Sequence, residues 1–386
     1  MTISDSIKAL VPEVTEWRRD IHRHPELQYD VHRTAGKVAD LLRQFGCDEV
    51  VEGIGKTGVV GVIKGRPGSR AIGLRADMDA LPIEETTNLV YSSSVPGKMH
   101  ACGHDGHTAM LLGAAKTLAK QRNFTGNAVV IFQPAEEGGG GGRAMVEDGM
   151  MERFAIEEVY GMHNLPGLAP GHFSICPGPI MASSDVFDID VTGKGAHAAK
   201  PHESIDPVLV SAHIITALQT IVSRNTDPLK SAVVSVTAIH AGEAYNVIPS
   251  SVHMHGTCRA LAPDIRDLLE KRVVEVAELT ARAFGASAKA VYSRHYPVTR
   301  NHATQTKFCG EVARRVAGHD NVDVEAPPMM GAEDFSYMLE ARPGAFIFIG
   351  NGDSAGLHNA AYDFNDAIIP AGISYWTQLA ETRLAG

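Results

Sequence analysis

The sequence predicts an α/β protein in which a mostly parallel sheet forms the main domain and a smaller α+β domain is inserted into it. The chain has 386 residues, more than one hydrophobic core usually serves. Short apolar runs alternate with helical periodicity near both ends, which is the pattern of a parallel sheet covered by helices. In the middle, apolar and polar residues alternate as they do in half-exposed strands. We therefore expect a main domain of residues 1–183 and 298–386, and an inserted domain of residues 184–297.

The first part of the chain alternates helices with short buried strands. Apolar residues at helical spacing predict helices over 3–22 and 32–46, which end at Pro25 and Gly46. The next elements are strands at 58–63 and 71–77, a helix over 106–120, a strand ending at Gln133, a helix over 142–149 and a strand ending at His163. Because the carboxyl ends of parallel strands share one edge of a sheet, we expect the residues that follow these strands to meet there.

The inserted domain has a different order of elements. A strand begins at Asp185, and the predicted elements after it are a helix over 205–224, strands at 231–242 and 251–260, a helix over 264–283 and a strand at 286–293. This β-α-β-β-α-β order is typical of a ferredoxin-like domain. The main domain then resumes with a helix over 302–317, a strand at 344–350 and a terminal helix over 366–384.

Composition and charge narrow the possible partners. The formal net charge is −10, and no basic run stands out, which argues against nucleic acid or an anionic membrane as a partner. No stretch approaches the ~18 apolar residues of a membrane span, and the N-terminal segment is amphipathic rather than signal-like. The five cysteines lie far apart, which does not indicate a disulfide framework. We therefore expect a cytoplasmic protein that acts on small molecules.

The segment 99–108, MHACGHDGHT, carries one thiol, three imidazoles and a carboxylate just before an apolar helix. Cys102 and His104 alternate with small residues, so both side chains can point to one side, and both suit a borderline divalent cation. The alternative is a polar loop in which the histidines cap the helix and Cys102 is a buried thiol. Two close ligands do not make a site, so further ligands must come from elsewhere.

Other acidic and imidazole groups follow the predicted strands. Asp77 and Asp79 follow the second strand, and Glu136-Glu137 follows the strand that ends at Gln133. Of two adjacent carboxylates, one can bind a cation while the other accepts a proton from water. The alternative is a solvated acidic turn favoured by the dipole of the next helix. His163 and His358 complete a group large enough for two ions, although a lone histidine after a strand is more often structural.

Several separated motifs then identify a resemblance. They are HRHPEL, GLRADMDALPIEE, MHACGHDGHTAMLLGAA, FQPAEEGGGGGRAMVEDG, YGMHN, GKGAHAAKPH, AYNVIPSS, GAEDFSYM and a late LHN. In this order, over about residues 20–365, they resemble the dinuclear metallo-amidohydrolases, which include hippurate hydrolases, N-acyl-amino-acid deacetylases and plant hydrolases of auxin–amino-acid conjugates. The resemblance implies a zinc-peptidase-like main domain with an inserted lid and dimerisation domain.

The resemblance also implies residue roles. The family's metal ligands fall on Cys102, His104, Glu137, His163 and His358. Glu136 matches the general base, and Asp79 matches a carboxylate that orients a ligand. Asp77 matches a position where related peptidases have a ligand histidine.

In the inserted domain, His197 matches a histidine that stabilises the oxyanion, often across a dimer. Asn246 and Arg259 match positions that contact substrate, and Arg259 would suit a carboxylate. Six further histidines receive no role and are expected to be structural or to line the substrate: His22, His24, His107, His202, His253 and His255.

The implied activity is hydrolysis of the amide bond of N-acyl amino acids with two divalent ions, zinc or manganese first and nickel or cobalt as substitutes. The implied assembly is a homodimer or a dimer-based oligomer. The alternatives are a deacetylase of an N-acetylated diamino acid such as N-acetyl-diaminopimelate, a dipeptidase, and a non-catalytic binding protein that has lost its metal. A binder would need neither a base nor paired cations, so the complete set of acidic and imidazole residues favours an enzyme.

Overall fold

The computed structural model describes residues 3–385, which form two compact units. The larger unit consists of Met1–Ile180, Arg300–Pro327 and Asp334–Gly386, and the smaller unit of Met181–Thr299 and Pro328–Glu333. The short return of Pro328–Glu333 to the smaller unit has no signal in the sequence pattern. No helix among the described residues has both the length and the apolar character that crossing a bilayer requires.

The described residues form ten α-helices. They are α1 (Asp5–Arg23), α2 (His32–Gln44), α3 (His104–Gln121), α4 (Gly141–Glu147), α5 (Met150–Arg153), α6 (Pro207–Thr220), α7 (Pro263–Ala283), α8 (Ala303–Ala317), α9 (Ser336–Ala341) and α10 (Ile369–Arg383). The predicted helix over 205–224 ends as an α-helix at Thr220 and continues as a π-helical segment, Ile221–Asn225. The predicted terminal helix begins as a 3-10 turn, Asp366–Ile368.

Residues 3–385 also form sixteen strands, several of them too short to be predicted from sequence periodicity. They are β1 (Glu49–Ile54), β2 (Gly58–Lys64), β3 (Arg66–Asp77), β4 (Thr125–Gln133), β5 (Ile156–Pro166), β6 (Phe173–Ser174), β7 (Gly178–Met181), β8 (Asp185–Thr192), β9 (Ala196–His197), β10 (Ala232–His240), β11 (Val247–Ile248), β12 (Ser251–Ala260), β13 (Ser287–Arg294), β14 (Thr299–Asn301), β15 (Val322–Asp323) and β16 (Gly344–Gly352). The prediction that a strand ends at His163 was wrong, because β5 continues to Pro166 by pairing with β16.

An eight-stranded sheet organises the larger unit, in the order β1-β2-β4-β3-β5-β16-β6-β15. The central pairs β4/β3, β3/β5 and β5/β16 are parallel, whereas β1/β2, β2/β4 and β16/β6 are antiparallel. All nine residues of β16 are buried, as a strand covered on both faces requires. This largely parallel sheet confirms the predicted fold class and places the ends of β3, β4 and β5 side by side.

The C-terminal helix is held to the sheet by one buried acid. Glu158 of β5 accepts hydrogen bonds from Tyr160 Oη at 2.7 Å, Gln305 Nε2 at 3.0 Å and Arg383 of α10. Burial alone would raise the pKa of Glu158, but these hydrogen bonds, led by that of Arg383, lower it to about 2. The charged form is therefore the one that the folded chain stabilises.

The smaller unit has a four-stranded antiparallel sheet in the order β10-β12-β8-β13. In chain order these strands are second, third, first and fourth, with α6 and α7 as the connections, which is the predicted ferredoxin-like layout. Phe187, Ile189 and Met254 point into a core shared with the two helices. The alternate residues of the same strands therefore lie on the opposite face of the sheet.

Candidate metal centre

The side chains that the sequence singled out as metal ligands, and the acids predicted near them, lie at one end of the large sheet. Asp77 closes β3, His104 begins α3, and Glu136 and Glu137 lie three and four residues after the end of β4. His163 lies in β5, and His358 follows β16 in a loop where its φ is +62°. Every one of these residues belongs to the larger unit.

All five predicted ligands come together. Three overlapping groups have ligand atoms that lie within 4.8 Å of one another: Cys102, His104 and His163; Cys102, Glu137 and His358; His104, Glu136 and Glu137. Cys102 belongs to the first two groups, a position that suits a bridging thiolate. The shared members make this one cluster rather than three sites.

The pair distances in this cluster match those of ligands around a cation. Cys102 Sγ lies 3.4 Å from His163 Nε2, and Glu137 Oε1 lies 3.2 Å from His358 Nε2. Metal–sulfur and metal–nitrogen bonds of about 2.3 and 2.0 Å at a tetrahedral angle place two such ligand atoms roughly 3.5 Å apart. The side chains are therefore already spaced for coordination.

Two histidines are oriented by the nitrogen that faces away from the cluster. His104 Nδ1 lies 2.8 Å from the backbone oxygen of Asp79, and His163 Nδ1 lies 2.6 Å from the backbone oxygen of Asn164. A carbonyl only accepts, so Nδ1 carries the proton and Nε2 points into the cluster. His104 Nε2 is buried and has no hydrogen-bond partner among residues 3–385. An orphaned nitrogen of this kind is what a missing cation would leave.

The electrostatics of the cluster favour positive charge. Burial lowers the pKa of His104, but the carboxylates of Asp77, Asp79 and Glu137 outweigh it and raise that pKa to about 10. For Cys102, burial first and then the charges of Glu137 and Glu136 raise the pKa well above its usual range. Excess negative charge in a buried pocket is stable only beside a proton or a cation.

Asp79 fixes the backbone of the two glutamates. Its Oδ1 accepts the backbone N–H of Glu136 at 2.9 Å, and its Oδ2 accepts that of Glu137 at 3.1 Å. Its own backbone oxygen holds His104. One residue therefore positions the candidate base and two candidate ligands, a wider set of contacts than the single orienting contact that the sequence implied.

Asp77 takes part in a buried ion network. Its Oδ1 accepts from His107 Nδ1 at 2.6 Å, and its Oδ2 accepts from Arg75 Nη1 at 2.8 Å. Arg75 also donates to Gln133 Oε1 at 2.8 Å and to Asp334 Oδ1 at 3.1 Å. Sequence reasoning missed Arg75 and Asp334. The available signal was an arginine within the apolar run AIGLRAD, which needs a buried partner.

The hydrogen bonds of His107 leave neither of its ring nitrogens available to bind a metal. Its Nδ1 faces Asp77, and its Nε2 accepts the backbone N–H of Asn164 at 2.9 Å, so both ring nitrogens are engaged. Asn164 in turn donates to the Cys102 carbonyl at 2.7 Å and accepts from Tyr362 Oη at 2.7 Å. The expectation that this histidine is structural fits these contacts.

Gly103, between Cys102 and His104, cannot be replaced by a residue that has a side chain. Its φ is +86°, and a Cβ there would lie 2.3 Å from Asn164 Nδ2 and 2.6 Å from Tyr362 Oη. Any side chain would both strain the backbone and push away the residue that holds the Cys102 carbonyl. The glycine therefore sets the angle between Cys102 and His104.

The HRHPEL motif packs beneath the same helix. His22 Nδ1 lies 2.9 Å from Asp105 Oδ2 and its Nε2 lies 3.3 Å from Glu85 Oε1, while Arg18 Nη1 lies 3.4 Å from Asp105. Burial lowers the pKa of His22, but Asp105 raises it to about 9. A charged His22 is thus paired with the residue that follows His104, which fixes the start of α3.

The three predicted residues of the smaller unit lie in two places. His197 of β9 pairs with Val247 of β11, and it lines an open hollow together with Asn246. His197 Nδ1 accepts the backbone N–H of Ala199 at 3.1 Å, which leaves Nε2 to carry the proton. Arg259 of β12 lies apart from them and donates to its neighbours, the Thr257 hydroxyl and the Cys258 carbonyl.

Comparisons with known proteins agree with this geometry. Residues 73–382 match the model of the peptidase family M20/M25/M40. The chain is 44% identical to a hippurate hydrolase of Campylobacter jejuni, over 98% of this chain and 99% of that protein. It is 38% identical to an N-acetylcysteine deacetylase of Bacillus subtilis, over 97% of each.

A solved structure extends the likeness to the whole fold. The YXEP protein of Bacillus subtilis, described as a dinuclear metal binding peptidase from the M20 family, superposes with a TM-score of 0.85 at 35% identity, covering 98% of this chain and 99% of that one. These findings confirm the resemblance that the motifs indicated. The chain belongs to the M20/M25/M40 peptidase family.

Proposed function

We propose that this chain is a metal-dependent amidohydrolase that cleaves the amide bond of N-acyl amino acids, in the manner of a hippurate hydrolase, to give a carboxylic acid and a free amino acid. The observation that carries the proposal is the cluster of Cys102, His104, Glu137, His163 and His358, largely buried except at His358, with Glu136 beside it. The full-length similarity to a hippurate hydrolase and to an N-acetylcysteine deacetylase supports this substrate class.

The residues of the cluster fit two divalent cations, zinc or manganese first, with nickel or cobalt as substitutes. Thiolate, imidazole and carboxylate together suit borderline divalent metals. His104 Nε2 has no hydrogen-bond partner in the described part of the chain, and the pocket around it is acidic, so a cation would satisfy both. We assign Cys102, His104, Glu137, His163 and His358 as ligands, with Cys102 shared. When bound, the cations would polarise the amide carbonyl and make the attacking water more acidic.

Glu136 is the proposed general base. Its side chain is 7% exposed, and its backbone is fixed by Asp79, so its carboxylate is held beside the ligands rather than moving in solvent. It accepts a proton from water as the oxygen attacks the carbonyl carbon, and it then donates that proton to the leaving amine nitrogen as the C–N bond breaks. The carboxylate is thereby regenerated.

His197 is the proposed donor to the oxyanion that forms on the carbonyl oxygen. Because its Nδ1 accepts from Ala199, its Nε2–H is free to donate, which is the tautomer that this role requires. Asn246, on the same hollow, is the proposed contact to substrate. Arg259 is the proposed partner of the substrate carboxylate, since a guanidinium binds a carboxylate through two parallel hydrogen bonds.

A homodimer is the proposed assembly, with residues 184–297 as the lid and dimerisation segment. Val208 and Leu209 of α6 are 41% and 53% exposed, an apolar surface that a second copy would cover. His197 would then complete either its own site or that of the partner subunit. The free edge strands β10 and β13 offer a second route to pairing.

The test is a turnover screen on the full chain with zinc or manganese supplied. It compares hippurate, N-acetylcysteine, indole-acetyl amino acids, N-acetyl-diaminopimelate and a dipeptide. Release of a free amino acid from at least one N-acyl amino acid, abolished by a chelator and restored by metal, is expected. Full activity in the metal-free chain, or preference for the dipeptide alone, would contradict the proposal.

A further inference from the structure

A second group of histidine and aspartate side chains, of the types that can bind a metal, lies in the smaller unit on the face of its sheet that carries no helix. On β8, Asp188 and Asp190 alternate with the core residues, and on β12, His253 and His255 do the same. His253 lies opposite Asp190 of β8 on one side and His240 of β10 on the other, and His255 lies opposite Asp188 of β8. The sheet register therefore gathers three imidazoles and two carboxylates on one surface.

The side chains approach one another as their strand positions predict. His253 Nδ1 lies 2.9 Å from Asp190 Oδ1, and His253 Nε2 lies 3.5 Å from Asp188 Oδ1. One ligand atom each from Asp188, His253 and His255 lies within 4.8 Å of the other two. The side chains of Asp188 and His253 are 51% and 41% exposed, so a cation can reach them from solvent.

The arrangement around His253 is that of a metal-ligating histidine. Asp190 accepts from Nδ1, which fixes the tautomer and leaves the lone pair of Nε2 directed toward Asp188. Metal–nitrogen and metal–oxygen bonds of about 2.0 to 2.1 Å at tetrahedral angles place two ligand atoms roughly 3.3 to 3.4 Å apart. The observed 3.5 Å is close to that spacing.

We propose that Asp188, His253 and His255 form a further site for a borderline divalent cation such as Zn²⁺, separate from the cluster of the larger unit. Two imidazoles and one carboxylate suit Zn²⁺, Ni²⁺ or Cu²⁺, with water in the remaining positions. The ring of His240 lies 6.0 Å from that of His255 and 6.4 Å from that of His253, so it stands next to the three ligands. Because the ligands come from β8 and β12, a bound ion would link these neighbouring strands.

A simpler account of the same contacts is a metal-free polar cluster in which His253 contacts two aspartates. That account gives no role to His255, whose ring centroid lies 5.9 Å from that of His253. It also predicts no change in the accessibility of His255 when zinc is added. The two accounts therefore differ in a measurable way that does not depend on the catalytic cluster.

The first experiment counts ions. The wild-type chain and the double variant His253→Ala/His255→Ala are dialysed against ZnCl₂ and analysed for zinc by mass spectrometry. We expect the double variant to bind about one zinc ion fewer per chain than the wild type. The matched control is His202→Ala/His319→Ala, which removes two imidazoles that are 76% and 78% exposed and each lie beside a single carboxylate. Equal zinc content in all three proteins, or an equal loss in both variants, would overturn the proposal.

The second experiment uses the wild type alone, so it does not depend on the folding of a variant. Diethyl pyrocarbonate modifies exposed imidazoles, and peptide mass spectrometry follows His255 and His202 separately. At a zinc concentration ten times the dissociation constant, modification of His255 should slow by about tenfold, because the free fraction falls in that proportion. His202 should react at an unchanged rate. Equal rates at His255 with and without zinc would refute the site.

Discussion

Asp79→Asn should uncouple the catalytic base from its support while leaving the candidate ligands in the chain. The wild-type carboxylate accepts the backbone N–H groups of Glu136 and Glu137 at 2.9 and 3.1 Å. An asparagine has one acceptor oxygen, so one N–H loses its partner and faces an NH₂ group instead. A hydrogen bond to a charged group contributes about 1.5 to 3 kcal/mol, and its loss allows this loop to shift. A displacement of about 1 Å at a catalytic group costs roughly 10²-fold in rate.

The assay measures kcat and KM on the N-acyl amino acid that the wild type cleaves, together with metal content. We expect kcat to fall by roughly 10²-fold and KM to change little. The matched control is Asp148→Asn, since Asp148 Oδ2 also accepts a backbone N–H, that of Gly55 at 2.6 Å, away from the ligands. An asparagine oxygen can still accept that single N–H, so this variant should keep both kcat and stability. If both variants lose kcat equally, or if Asp79→Asn retains full kcat, the positioning argument is wrong.

Three further predictions concern the base, the anchoring acid and the assembly. Glu136→Gln should lower kcat by about 10²–10⁴-fold at normal metal content, whereas Glu137→Gln should lose metal; exchanged phenotypes would reverse the assignment. The folded-state pKa of Glu158 lies below its ordinary value of 4.5, so its contribution of about 2 to 3 kcal/mol should be complete above pH 4.5 and lost as the pH falls toward 2. In urea titrations at several pH values, Glu158→Gln should therefore be destabilised at pH 7 but not near pH 2. The control Glu157→Gln, whose carboxylate is 54% exposed, should change the free energy of unfolding by less than about 0.5 kcal/mol. Equal effects of the two substitutions would contradict the role of Glu158 in anchoring α10. Mixing inactive His197→Ala and Glu136→Ala chains under subunit exchange should restore activity if His197 acts across a dimer, and a fully active monomer in sedimentation would refute the dimer.

The order of strands and helices followed from the sequence because it depends on local patterns. Buried strands such as β2, predicted at 58–63, are continuous apolar runs, and the alternation over 251–260 matches β12 residue for residue. Short pairings such as Phe173–Ser174 could not be predicted, because two residues carry no periodicity and their pairing is decided by β15 and β16. The register that brings His253 opposite Asp190 could not be predicted either, because periodicity gives the face on which a residue lies but not its partner on the neighbouring strand.

The composition of the metal cluster was predicted through motifs, but its supports were not. Asp334 lies in the GAEDFSYM motif, far along the chain from Arg75 and Gln133, and nothing in the local sequence indicates that the three meet. The contact exists because β3 and β4 are paired and the loop before α9 returns to them. A single sequence contains the partners of a buried charge but not their distances.

The histidines of segment 99–108 show which physical feature separates a ligand from a structural residue. Residue type and burial do not, since His104 and His107 are both buried imidazoles one turn apart on α3. The two histidines differ in the contacts of the ring nitrogen Nε2. His107 has a carboxylate on one nitrogen and a backbone N–H on the other, so its lone pair is already used. His104 has a carbonyl on Nδ1 and no hydrogen-bond partner on Nε2 among the described residues, so a cation can take the place of the Nε2 proton. On the same criterion His253, with Nδ1 held by Asp190 and Nε2 directed at a carboxylate, is a candidate ligand, although its strand position alone gave it no role.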